Sequence, residues 1–142
     1  MSLPDTAEFF WPTEFHVVTQ RYGANPNKFG YGPSGHEGID LRAREGTKIF
    51  SCLSGIVSAI IIRGVYGNRV RVISDSINNS TVNSIRIEYC HLSRIDVPIN
   101  RTIQRGELIG LAGSTGNVRG AHLHLNVFID GKRVDPAPYL GV

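Results

Sequence analysis

Along most of this chain apolar and polar residues alternate, the period of a β-strand whose two faces meet different surroundings. Phe15 to Thr19 opens the series. Gly38 to Arg42, Thr47 to Leu53 and Ile56 to Arg63 follow, the last two rich in β-branched residues. Arg69 to Ser74 sets Val and Ile between Arg, and Ile85 to His91 resumes the alternation. Glu107 to Ala112 and Ala121 to Ile129 complete the set. No stretch keeps a 3.6-residue apolar period over three turns, so the expected fold is all-β and mostly antiparallel.

Turn residues punctuate the strands. Gly23 to Gly35 is a long Gly/Pro/Asn-rich loop with Asn25-Pro26 and Gly32-Pro33 as turn signals, and Tyr66-Gly67-Asn68 breaks the next apolar run. Asp75 to Ser84 reads as a loop or a long hairpin tip, Pro98 to Gly106 as a turn-containing connection, and Gly113 to Gly120 as a flexible loop. Asp130-Gly131 is a hairpin signal after the last long strand. The runs "REGTKIFSCLSG" and "QRGELIGLAGSTG" share a faint turn-strand-Gly rhythm, a trace of internal duplication.

Bulk properties narrow the class. A length of 142 residues suits one domain, 1–142, with a real core, and 41% hydrophobic against 19% charged residues suits a soluble globular chain. A net charge of +3 with no basic run interleaved with aromatics gives no support for nucleic-acid binding. Ile49 to Ile62, the longest apolar stretch, contains Ser51, Ser54, Gly55 and Ser58 and is too short to span a bilayer. It reads as two strands meeting at Gly55. Cys52 and Cys90 sit in no C-x-x-C pattern and read as buried free thiols, with a disulfide open only to an exported chain. No signal peptide is visible, and Met1-Ser2-Leu3 reads as an expression scar.

Candidate chemistry sits on histidines. In "AHLHLNVFID" one strand face carries Ala121, Leu123, Leu125, Val127 and Ile129, leaving His122, His124, Asn126 and Phe128 on the other. "GHEGID" brings His36 and Asp40 together on a loop entering a strand, because Gly35 and Gly38 argue against a helix. "EYCHLS" puts His91 at the end of a strand face, with Cys90 on the opposite one. Each signal alone is weak. Together they supply two His and one Asp for a catalytic zinc, which takes three N/O ligands and keeps a fourth position for water. Two further His remain for proton transfer and for holding charge on an attacked carbonyl oxygen. The residues themselves do not say which imidazole of the His122/His124 pair binds metal.

In this order "HEGID", "YCHLS", "GSTGN" and "AHLHL" resemble the lysostaphin-type family of peptidoglycan metalloendopeptidases, from about His36 to Tyr139 and including "DGKRVDPAPYL". The resemblance implies one Zn2+ per chain on His36, Asp40 and His124, with His91 and His122 as the catalytic pair. It also implies a groove over an antiparallel sheet of the duplicated hybrid motif type, walled by loops that set substrate choice. Peptidoglycan peptide is the implied substrate, outside the cell, in the periplasm or at the wall, and a monomer is presumed.

Cys90 departs from the small residue usual beside the catalytic His and is expected to be inert packing. His16 lies outside every motif and reads as structural. Tyr31 is read as a plain loop aromatic rather than an oxyanion contact. The alternatives are a non-catalytic relative that binds wall or activates another hydrolase, a phosphocarrier using a His pair, and a lipoyl- or biotin-type carrier. All five site positions are filled, which opposes the first; His36 and Asp40 oppose the second; no Lys sits in a hairpin-tip signature for the third.

Overall fold

A computed structural model describes residues 9–75, 84–116, 118 and 120–142. The 1–3 scar and the interior of the Asp75 to Ser84 loop lie outside the described residues. Among the described residues eleven strands and one short helix follow each other: β1 Val18–Gln20, β2 Ile39–Leu41, β3 Lys48–Phe50, β4 Gly55–Ile61, β5 Arg69–Asp75, β6 Ser84–Cys90, β7 Leu92–Ile95, β8 Thr102–Ile103, β9 Leu108–Ala112, β10 Leu123–Ile129, β11 Lys132–Val134 and α1 Ala137–Leu140.

Eight strands form one antiparallel sheet in the order β1-β2-β10-β6-β5-β4-β8, with β11 also on β10, and β3-β9-β7 form a second. The all-β expectation holds. The first strand starts later than its apolar run suggests, because residues 12–15 make bends, and β8 lies inside the expected connection. The apolar stretch around Gly55 does split in two, but its halves β3 and β4 go to different sheets. Asp130 (φ 48°) and Gly131 (φ 82°) make the two-residue hairpin between β10 and β11, the left-handed pair that a type I′ turn needs.

The two segments with a shared rhythm are partners. β3 pairs with β9, and their flanks exchange bonds in matching fashion: Gly46 N–H to Ala112 O, and Gly106 N–H to Ser51 O. One buried cluster unites the sheets. Leu123, Leu125 and Val127 of β10, Ile85, Ile87 and Tyr89 of β6, and Ile49, Leu92 and Ile109 of the small sheet are all 0–1% exposed. Tyr89 reaches between the sheets, its hydroxyl accepting the Cys52 N–H at 2.9 Å. Side chains on β10 that point away from this core therefore build the floor of the site. Cys52 and Cys90 are buried free thiols.

Candidate metal centre and its groove

Asp40 and His124 are direct partners in the β2–β10 ladder, so two strands fix their spacing. His36 enters from the loop before β2, its Nδ1–H donating to the Arg21 carbonyl at 3.1 Å. That bond leaves the His36 Nε2 lone pair facing inward. Nε2 lies 3.1 Å from His124 Nδ1 and 3.3 Å from Asp40 Oδ1, and the last two atoms are 2.9 Å apart. Zinc bonds of about 2.0–2.1 Å arranged tetrahedrally set donors about 3.3 Å apart, so this triangle has the right size. All three residues are at least nine-tenths buried. Among the described residues they form a group able to hold a metal ion.

Burial works to raise the Asp40 pKa, but the imidazoles of His122, His124 and His36 that surround it outweigh burial and hold the carboxyl far below its usual range. A carboxylate ringed by imidazoles is thus anionic at any ordinary pH. That suits a two-neutral, one-anionic donor set, which leaves a divalent cation with residual positive charge.

His91 and His122 stand beside the triangle, ring centroids 4.9 Å apart. Each is held by one backbone carbonyl. His91 Nδ1–H donates to Thr115 O at 2.6 Å, and His122 Nδ1–H to Gly120 O at 3.0 Å. Both Nε2 atoms are left for the groove, that of His122 lying 3.4 Å from Asp40 Oδ1. Burial lowers the His91 pKa to about 4, so it is neutral at pH 7. For His122 burial works downward, but the hydrogen bond and charge of Asp40 give a net rise. That rise belongs to a free carboxylate; a cation that takes up the Asp40 charge removes it.

His91 corrects the expectation from alternation. It is not the last residue of a strand face but follows β6 in the left-handed region, φ 63°. The kink turns it from the Ile85/Ile87/Tyr89 core side toward the groove. Cys90 keeps the face of Arg86 and Glu88, and that face is the site's: it pairs with His124 across β6 and β10, with Sγ 3.8 Å from Asn126 Nδ2. It is fully buried, and burial pushes its thiol pKa well up. The bend is held by two loops locked together. A Cβ on Gly67 or Gly116, both at positive φ, would collide with the other loop's backbone.

An open cavity of about 600 Å³ runs over these residues, walled by Phe29, Gly30 and Tyr31 on one side and Val65 and Tyr66 on the other. The Gly23 to Gly35 loop is therefore a groove wall. Tyr31 is more than a plain loop aromatic: its hydroxyl donates to Gln20 Oε1 at 2.8 Å and its ring lies 5.2 Å from His36. Tyr66, part of the turn that breaks an apolar run in the sequence, stacks on His124 at 5.0 Å and bonds Glu37 through its hydroxyl. His16 is exposed and stacks on Trp11 instead. Asn126 and Glu88 were visible as polar residues on the groove-side faces of β10 and β6, but their alternation carries no sign of what they do.

An antiparallel β fold with a buried two-imidazole, one-carboxylate triangle under an open groove is the arrangement of a metallopeptidase domain. The chain belongs to peptidase family M23, whose model matches residues 34–136. It is 32% identical over 126 residues to the peptidoglycan DD-endopeptidase ShyA of Vibrio cholerae, covering 89% of this chain and 25% of that protein. To lysostaphin of Staphylococcus simulans it is 33% identical over 124 residues, 84% of this chain and 24% of that protein. The solved catalytic domain of that lysostaphin superposes with a TM-score of 0.74 at 27% identity, covering 89% of this chain and 92% of that domain. The lysostaphin-type resemblance holds. The chain spans about a quarter of the length of the curated relatives it matches.

Proposed function

We propose that this chain is one peptidase domain, a zinc-dependent endopeptidase that hydrolyses peptide bonds in bacterial peptidoglycan. The observation that carries the reading is the convergence of five side chains at one groove: three donors within 3.3 Å of each other and two imidazoles with Nε2 turned the same way. ShyA, a peptidoglycan DD-endopeptidase, and lysostaphin support the substrate. Work on peptidoglycan puts the chain outside the cytoplasm. No helix among the described residues is long and apolar enough to cross a membrane.

His36 Nε2, Asp40 Oδ1 and His124 Nδ1 are the proposed zinc donors. Zinc held there would supply Lewis acidity and acidify the attacking water. The remaining work falls to the protein. The cavity admits an extended peptide between the Tyr31 and Tyr66 walls and brings its carbonyl over the donor triangle. His91, neutral and with Nε2 free, accepts the proton released as water attacks that carbonyl carbon. His91 then passes that proton to the departing amine, while His122, protonated from solvent, presents Nε2–H to the oxygen as it turns negative and keeps its proton. The Thr115 and Gly120 carbonyls keep each ring turned, so neither imidazole must reorganise during the reaction.

The test is release of dye-labelled fragments from purified sacculi of two wall types, with and without zinc, and mass spectrometry of the new termini. New peptide amino termini in the zinc sample alone support the reading. Intact sacculi of both types, despite a zinc-loaded protein, would sink it in favour of a wall-binding relative.

A further inference from the structure

Behind the donor triangle lies a buried polar chain that the proposed reaction does not use. Asn126, 0% exposed, follows His124 on the same face of β10 and faces Glu88 in the β10–β6 register. Glu88, 2% exposed, faces Arg71 in the β6–β5 register. Arg71 Nε donates to Glu88 Oε2 at 2.9 Å, and Arg69 Nη1 to Oε1 at 3.4 Å. Burial works to raise the Glu88 pKa, yet the bonds from Arg71 and Asn126 and the charge of Arg69 give a net lowering. Glu88 is therefore a carboxylate and can only accept.

That fixes the chain step by step. The group of Asn126 lying 3.1 Å from Glu88 Oε1 must be its NH2, so Oδ1 points the other way. Arg133 confirms the orientation independently, since Nη1, which can only donate, lies 2.9 Å from Oδ1. With Oδ1 an acceptor, His124 Nε2 at 2.7 Å must carry its proton. A neutral imidazole has one N–H, so the His124 lone pair is at Nδ1, the atom facing Asp40 and His36. Water has no room to substitute for the amide. A Cβ at Gly38 would lie 2.7 Å from both Asn126 Oδ1 and His124 Nε2, so the backbone before β2 closes over the bond.

We propose that Asn126 is a positioning residue that holds His124 with Nδ1 presented to the donor triangle, and that Glu88 sets which way Asn126 faces. The inference about metal rests on the zinc reading above; the inference about the Nε2–H bond does not. Partners that orient a metal-binding imidazole commonly alter affinity by about 10- to 100-fold when removed, so Asn126→Leu, near-isosteric, is expected to weaken zinc binding by that factor. Glu88→Gln, which keeps the volume but lets the amide turn, is expected to weaken it less. Combining Asn126→Asp with Glu88→Gln moves the negative charge from one partner to the other while keeping an acceptor at Nε2. It is expected to recover affinity to within about threefold of the original chain.

The measurements are zinc affinity by chelator competition and the His124 Nε2–H proton signal in ¹⁵N-histidine-labelled protein, with and without zinc. The signal should be present and slow to exchange in the original chain and the double variant, and lost or shifted in Asn126→Leu. If Asn126→Leu does not fold, the single and double variants at Glu88 carry the test. Unchanged affinity and an unchanged signal in both single variants overturn the proposal, as does a double variant weaker than either. If the original chain binds no zinc yet shows the protected Nε2–H, the zinc reading fails and the Asn126 bond stands.

Discussion

The two halves of the site are built differently. The donor half rests mostly on strands: Asp40 and His124 are ladder partners, and His124 is backed by Asn126 of its own strand and by Glu88 and Arg71 of the next two, with only His36 arriving from a loop. The proton-handling half rests on turns. His91 sits at positive φ after β6, His122 precedes β10 at an isolated bridge to Gly113, and each has one backbone carbonyl for support. A cation demands donors at set distances, which rigid strands with a side-chain backing provide. Groups that exchange protons with a substrate must reach the groove, and His122 is accordingly the most exposed of the five, with a fifth of its side chain open to solvent. The difference predicts that damage to the first half costs metal, and damage to the second costs only rate.

The largest effect is expected from Asp40→Ala. It removes the anionic donor and leaves the imidazoles no shared carboxylate, so zinc occupancy and hydrolysis should both fall to background. Elemental analysis of unstripped protein beside dye release checks this; full occupancy with full activity would redraw the site. Next comes the catalytic pair. His91→Asn, chosen because Asn tolerates the left-handed backbone that Ala would strain, and His122→Ala should each lower turnover by about 100- to 10,000-fold. Zinc should stay bound in both. Loss of zinc from His91→Asn would erase the division between the halves.

Gly38→Ala sharpens the comparison from the other side. Its Cβ would press first on the Leu125 carbonyl oxygen and then on Asn126 Oδ1 and His124 Nε2, both at 2.7 Å. A fall in stability of about 1–3 kcal/mol is expected from such overpacking, together with weaker zinc binding. Urea unfolding and chelator competition measure the two; a variant that loses neither contradicts the closed packing.

An effect of similar size is one of pH. The folded-state pKa of His91 is lowered to about 4 by burial. Above pH 6.5 neither state is protonated there and His91 contributes nothing. Below it the unfolded chain takes a proton that the folded chain refuses until pH 4, so stability is lost as pH falls through this window. After allowance for solvent screening the loss is on the order of 2 kcal/mol. The difference in unfolding free energy between the metal-free original chain and His91→Asn should change across pH 4 to 6.5. A flat difference would mean that His91 is not desolvated.

What could be read ahead of the structure follows the same division. Strand alternation made the donor half legible: Leu123, Leu125 and Val127 are core, His124 and Asn126 face the other way, and the Asp130-Gly131 turn is where its dipeptide puts it. Alternation misplaced His91 alone, since Cys90 keeps the Arg86/Glu88 face, because a single left-handed residue inverts the face rule and nothing in "EYCHLS" announces one. The roles of Asn126, Glu88 and Tyr66 arise from register between segments far apart in the chain, which local patterns do not carry. The motif resemblance did what periodicity could not, by proposing which imidazole of the H-x-H pair holds metal.

That proposal is the centre of the account, and zinc retained after dialysis against a weak chelator tests it most directly. His122→Ala should keep its zinc and lose turnover, whereas His124→Ala should lose both. Zinc lost from His122→Ala and kept by His124→Ala would reverse the pair, and zinc and activity kept by both would contradict the enzyme reading altogether.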